Sequence, residues 1–266
     1  MRMISWNMNK AHCDSPSWIY LLDRAPDLAF LQEVNSVPQF VLDTFPHRIE
    51  CAIRPNDKPQ KFHTVILVRG IMGASIKLQG STDWLNAEHE RFKGNIVANQ
   101  VMPTSGPSLT AVNVYSPAWP IPKSRLIGID TSGIKSNINP DLWVTDLIRD
   151  AIKNTARSEN ESWVIAGDFN SSETFDQRAA GPRGNKEFLD YMEQFGFTEC
   201  LRKSKGKLTP TFRHSRGSIK HQIDHLFVTK SLADKLQSCD VGLQSEVFGA
   251  SPKLSDHLPI IAEFRE

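Results

Sequence analysis

Apolar residues gather in short runs bounded by Gly, Pro and polar residues: Met3–Trp6, Leu28–Leu31, Thr64–Val68, Ile96–Val101, Leu109–Tyr115, Trp163–Ala166, Ile223–Val228 and Leu258–Phe264. Their length and β-branched content predict strands. Many are apolar at consecutive positions, the pattern of strands covered on both faces. Between them, Ser17–Arg24, Pro140–Arg157 and Asn185–Phe195 repeat apolar residues at three- and four-residue steps and predict helices. Strands and helices mixed without strict alternation predict two packed sheets with helices outside, a layered α/β sandwich. A doubly wound nucleotide-binding sheet is the competing fold, but no Gly-x-Gly-x-x-Gly follows any strand. Residues 116–140 carry Pro117, Pro120 and Pro122 and read as a long irregular loop, either disordered or shaping a substrate site.

Composition sets the scale of the core. With 266 residues, 39% of them hydrophobic, six Trp and 14 Phe, the chain suffices for one domain over 1–266, and neither a linker nor an internal repeat divides it. A strand at the first residues leaves no signal peptide, and no apolar run approaches the ~18 residues of a membrane span. Cys13, Cys51, Cys200 and Cys239 match neither zinc nor redox spacing. A soluble cytoplasmic protein, monomeric and without membrane attachment, is the expectation.

Net charge is +1, from 31 basic and 30 acidic residues, so no global polyanion signal exists. Locally, Arg202, Lys203, Lys205, Lys207, Arg213, Arg216 and Lys220 follow one another with no acid between them. The run reads either as a solvated loop or as a footprint for a polyanion.

The chemistry sits at strand ends. Between Ser162 and Phe175 an apolar strand stops at Gly167-Asp168-Phe169-Asn170, a carboxylate and an amide suited to a water and a phosphate. Alone, this is an ordinary way to leave a strand. Asn7, Glu33, Asp224-His225 and Asp256-His257 also stand at strand ends, and together they suggest a metal-dependent phosphoesterase. Two carboxylates ~4 Å apart repel by about 4 kcal/mol at an effective dielectric near 20, so several on one sheet edge call for a cation. Oxygen-only donors favour Mg²⁺, with Mn²⁺ able to substitute. A carboxylate on one ring nitrogen of His257 would fix its tautomer and keep it protonated toward a phosphate oxygen.

Six segments carry a family resemblance: Ile4-Ser-Trp-Asn7, Leu31-Gln-Glu33-Val, Val112-Asn-Val-Tyr115-Ser-Pro, Ile165-Ala-Gly-Asp168-Phe-Asn170, Gln222-Ile-Asp224-His-Leu-Phe-Val and Ser255-Asp256-His257-Leu-Pro. In this order they resemble the motifs of the endonuclease/exonuclease/phosphatase superfamily, over nearly the whole chain. The resemblance implies a four-layer α/β/β/α sandwich of two mixed sheets, DNase I-like. It implies that Glu33 binds the metal with Asn7 and Asp256 completing its surroundings. Asp168 would then orient or deprotonate water, Asn170 and Tyr115 hold the phosphate, and Asp224 orient His257.

Where the DNase I, sphingomyelinase and inositol-phosphatase branches carry His, this chain has Tyr115, as in exonuclease III and the AP endonucleases. That implies a Mg²⁺-dependent nuclease acting on DNA, with Arg213, Arg216, Lys220, Lys205 and Lys207 gripping the backbone and Phe212 or a Trp stacking on a base. A phosphatase or phosphodiesterase acting on a small phosphorylated molecule or lipid headgroup stays open as the alternative. The turn after Tyr115 departs from the AP-endonuclease pattern, so abasic-site specificity does not follow.

Overall fold

The computed structural model describes residues 1–155, 157, 161–177, 183–214 and 217–265. Twelve strands appear among them: β1 (Arg2–Ala11), β2 (Leu28–Val34), β3 (His47–Ile53), β4 (Pro59–Val68), β5 (Gly70–Ser75), β6 (Ile96–Pro103), β7 (Leu109–Tyr115), β8 (Trp163–Asp168), β9 (Phe197–Glu199), β10 (Asp224–Thr229), β11 (Leu236–Val241) and β12 (Ile260–Phe264). They form two mixed sheets, ordered β11-β12-β1-β2-β4-β3 and β5-β6-β7-β8-β10-β9. In each, one central pair is parallel, β1 with β2 and β7 with β8, and the described neighbours are otherwise antiparallel.

Alternation along the strands decides the layers. Met3, Leu28, Phe30, Ile66 and Val68 of the first sheet meet Val97, Leu109, Ala111, Val164 and Leu226 of the second in one buried cluster, the sheet-on-sheet core. The residues between them point the other way. Ile4, Trp6, Leu31 and Leu67 pack against Trp18 and Leu21 of the helix Ser17–Asp23. Val112, Val114 and Ile165 pack against Leu147 and Ile148 of Val144–Asn154 and Met192 of Asn185–Gln194. Four layers, α/β/β/α, result, as the sequence motifs imply. Each fully buried Leu, Ile or Phe contributes about 1.5–3 kcal/mol.

A polar contact also joins the sheets. The Asn113 amide of β7 donates to the carbonyls of Leu31 (3.1 Å) and Val65 (2.8 Å), and its oxygen accepts from Gln32 (2.7 Å). All three strands are thereby tied together where β2 bulges between Leu31 and Val34. The 116–140 segment carries one short 3₁₀ turn, Lys123–Leu126, and is otherwise without regular structure. No helix among the described residues is long and apolar enough to cross a membrane.

Candidate active site

Parallel pairing puts the carboxyl ends of β1 and β2 at one edge of the first sheet, and those of β7 and β8 at one edge of the second. Asn7, Glu33, Tyr115 and Asp168 stand at these ends. Antiparallel β10 starts there too, with Asp224 directly opposite Asp168. Gly167 makes the approach possible: at φ +145° a Cβ would lie 1.9 Å from the Val114 carbonyl oxygen.

Asp168 is buried and accepts three hydrogen bonds, one on Oδ1 and two on Oδ2. Its Oδ1 accepts the Asn170 backbone N–H (2.9 Å), and its Oδ2 accepts the side-chain amides of Asn7 (3.0 Å) and Asn170 (3.3 Å). Burial first, and the neighbouring Asp224 charge second, raise its pKa from 3.8 to about 7, against the opposing pull of His257. Asn7 reaches across the sheets, donating also to Glu33 Oε1 at 3.3 Å. Glu33 is held at φ +52° by the β2 bulge, a left-handed conformation costing of order 1–3 kcal/mol in a non-glycine residue.

His257 lies buried beside Asp224, its Nδ1 2.9 and 3.1 Å from the two carboxylate oxygens. Thr211 Oγ1 donates to Asp224 Oδ2 at 2.6 Å. Ser255 Oγ accepts the His257 N–H (3.0 Å) and donates to the Asn7 carbonyl (2.6 Å), fixing the loop to β1. Burial alone would depress the imidazole, but Asp224, Asp168 and Asp256 outweigh it and raise the pKa from 6.5 to about 10. The surrounding acids thus favour the protonated ring, and Nε2 is free of Asp224.

Ligand atoms of Asp168, Asp224 and His257 lie within 4.8 Å of one another. Within this group, however, both Asp168 oxygens and both Asp224 oxygens already accept hydrogen bonds and His257 Nδ1 is taken up by Asp224. Glu33 differs. Its Oε2 has Lys10 Nζ 3.9 Å away as its neighbour, and its carboxylate feels the charge of Asp256. A carboxylate with a free oxygen, in the field of a second one, fits a hard divalent cation such as Mg²⁺. Asn7 fits as a positioning donor: its oxygen accepts the Asn9 N–H (2.9 Å), which turns its NH₂ toward the acids.

Other expected residues are less uniformly disposed. The Tyr115 ring packs edge-on against Phe62 at 5.0 Å, and burial, then the Glu33 and Asp168 charges, push its phenol far above its ordinary value. Asn170 gives its amide to Ser116 O (2.7 Å) as well as to Asp168, so it organises the acid in this arrangement. His225 is wholly buried, bonded to Ser171 O and Gln222, and has a structural role. Phe212, half-buried, packs its ring on His257 with centroids 4.8 Å apart.

The basic run divides. Arg202 pairs with Glu173 and Lys205 with Asp240 of β11, so Lys205 is not a spare cation. Lys207 and Lys220 are exposed, and Arg213 sits next to Asp256, its N–H on the Asp256 carbonyl and its guanidinium over Phe248. Arg216 lies outside the described residues. Thr211 and Ser255 are site members that sequence reasoning missed. A lone hydroxyl carries no signal until the fold brings it to an acid.

The Endonuclease/Exonuclease/phosphatase family model matches residues 4–257. No curated protein matches the chain in sequence. Among solved structures, an AP endonuclease from Archaeoglobus fulgidus superposes with TM-score 0.70 at 15% identity over 99% of both chains. The 3′ phosphatase NExo from Neisseria, bound to a product DNA hairpin, gives 0.66 at 18% over the whole of both. The Xenopus laevis APE2 catalytic domain gives 0.67 at 16%, covering 100% of this chain and 92% of that one. At these identities the likeness is one of fold.

Proposed function

The chain belongs to the endonuclease/exonuclease/phosphatase family, and from that membership we propose that it is a Mg²⁺-dependent nuclease hydrolysing phosphodiester bonds of DNA. One observation carries the reading: a buried His257–Asp224 pair faces an Asp168 whose pKa is raised toward neutrality, with Glu33 joined to it through Asn7.

Water held by Asp168 loses its proton to that carboxylate as it attacks phosphorus in line with the leaving oxygen. The His257 imidazolium, held by Asp224, donates to a non-bridging oxygen as charge grows there. Tyr115, kept neutral, is a second donor at the same phosphate. Mg²⁺ bound by Glu33 and Asp256 would neutralise phosphate charge and assist the leaving oxygen. Asn170 holds Asp168 in place and contacts the phosphate on rotating away from Ser116. Arg213, Lys220 and Lys207 remain available for backbone phosphates beyond the scissile bond.

Tyr115 favours a nuclease over the small-molecule phosphatase reading. Four unpaired cysteines agree with a reducing, cytoplasmic setting. Comparison of plasmid, single- and double-stranded DNA, an abasic duplex, RNA and inositol phosphates, in Mg²⁺, Mn²⁺ or EDTA, separates these readings. Metal-dependent cutting of DNA is expected. Phosphate release from the inositol phosphates with nucleic acid untouched would transfer the chain to the phosphatase alternative.

A further inference from the structure

A second cationic surface adjoins the site, and none of the roles above uses it. A cleft of about 770 Å³ opens between the β3–β4 turn and residues 117–122, with Glu33 and Tyr115 forming its inner wall. Lys10, Arg54 and Lys61 line it, and Glu33 is its one acid. Asp57, in the turn nearby, is already paired with Arg91 and Arg125. Among the described residues the Arg54 side chain bonds only the Gln60 amide oxygen (3.3 Å), and Lys61 has no carboxylate partner. The Arg54 charge nevertheless acts on the Tyr115 phenol, so cleft and site share one field.

Over this cleft stands Trp119, 72% exposed, with no hydrogen bond or ring contact among the described residues. Pro117, Pro120 and Pro122 flank it and Pro55 faces it across the cleft, so fixed φ angles pre-organise the loop. An indole face beside unpaired cations matches one chemistry: a base with its π-face free, followed by its phosphates. Bases within a duplex are already stacked on one another and cannot offer that face.

We propose that this cleft holds unpaired nucleotides of a single strand next to the scissile phosphate, one base stacked on Trp119 and the backbone on Arg54 and Lys61. The proposal rests on the nuclease reading and gives it a substrate form, a single strand or an unpaired end. It also gives the irregular 116–140 segment a role, and it moves part of the electrostatic grip away from the 202–221 run.

Binding of a fluorescein-labelled single-stranded oligonucleotide, measured by anisotropy in the Asp168→Asn background with Mg²⁺, tests it. Trp119→Ala should weaken binding about ten-fold, and Trp119→Phe should keep most of the affinity. Arg54→Ala with Lys61→Ala should flatten the slope of log affinity on log salt by about 1.4, or 0.7 per single-strand phosphate contact. A blunt duplex should lose less than about two-fold in Trp119→Ala. Unchanged affinity and slope in these variants would overturn the cleft alone. Equal losses on duplex and single strand would overturn its assignment to unpaired nucleotides. Failure of the Asp168→Asn parent to bind any polynucleotide would remove the nuclease reading itself.

Discussion

Asp224 holds the His257 ring from both carboxylate oxygens, at 2.9 and 3.1 Å to Nδ1, and both side chains are buried. A carboxylate so placed sets the tautomer and sustains the positive charge of the ring. Asp224→Asn should therefore lower the cleavage rate by about 10²–10³. Thr211→Val, which removes one hydrogen bond to the same acid, should cost roughly ten-fold. Steady-state rates on one DNA substrate check both, and a Thr211→Val loss exceeding that of Asp224→Asn would contradict the relay.

Asn7 is the one described side chain that bonds both Glu33 and Asp168, and so links the two sheets at the site. Asn7→Ala should raise the Mg²⁺ concentration for half-maximal rate by about ten-fold or more, the usual scale for a group orienting a ligand. Titration of cleavage with Mg²⁺ reads this directly. A rate loss with no change in metal requirement would confine Asn7 to Asp168.

Phe can replace Tyr115 without disturbing the edge contact to Phe62, so the fold of Tyr115→Phe should persist. Loss of the phenolic donor should still reduce kcat by about 10². Retention of full kcat, with an unchanged urea midpoint, would leave Tyr115 as packing.

His89 makes a separate prediction, about stability. Burial lowers its pKa from 6.5 to about 4, with Asp150 opposing, and neither ring nitrogen has a hydrogen-bond partner among the described residues. Between those values the unfolded chain binds a proton that the folded ring refuses. Stability must fall as pH drops from about 6.5 toward about 4, by about 2 kcal/mol at pH 5. His89→Leu should flatten this acid-side decline in urea unfolding between pH 7 and pH 5. The same decline in both proteins would show that His89 does not titrate this way.

The inner strands were legible in sequence and the outer ones were not, for a physical reason. The eight expected strands all formed, several of them longer than their apolar runs, because β1, β2, β4, β6, β7, β8, β10 and β12 are flanked on both sides and covered on both faces. The four missed strands, β3, β5, β9 and β11, are the four sheet edges. There one side meets solvent, and residues such as His47, Glu50, Ser238 and Asp240 remove the apolar signal. The helix Asp83–Arg91 also escaped, its start marked only by Thr82 accepting the Leu85 N–H. At the site, acids, amides and His257 could be read from their strand-end positions. The bond of Asn7 to Asp168, the capture of Lys205 by Asp240 and the packing of Phe212 on His257 could not, since each depends on a partner more than thirty residues away.

In the proposed reaction Asp168 activates the attacking water in a metal-dependent cleavage of DNA. Cleavage rates of wild-type and Asp168→Asn protein on one labelled DNA, with Mg²⁺ and with EDTA, test it most directly. Cutting is expected in Mg²⁺ and none in EDTA, with a loss of about 10²–10⁴ in the variant. An undiminished rate in Asp168→Asn would contradict it.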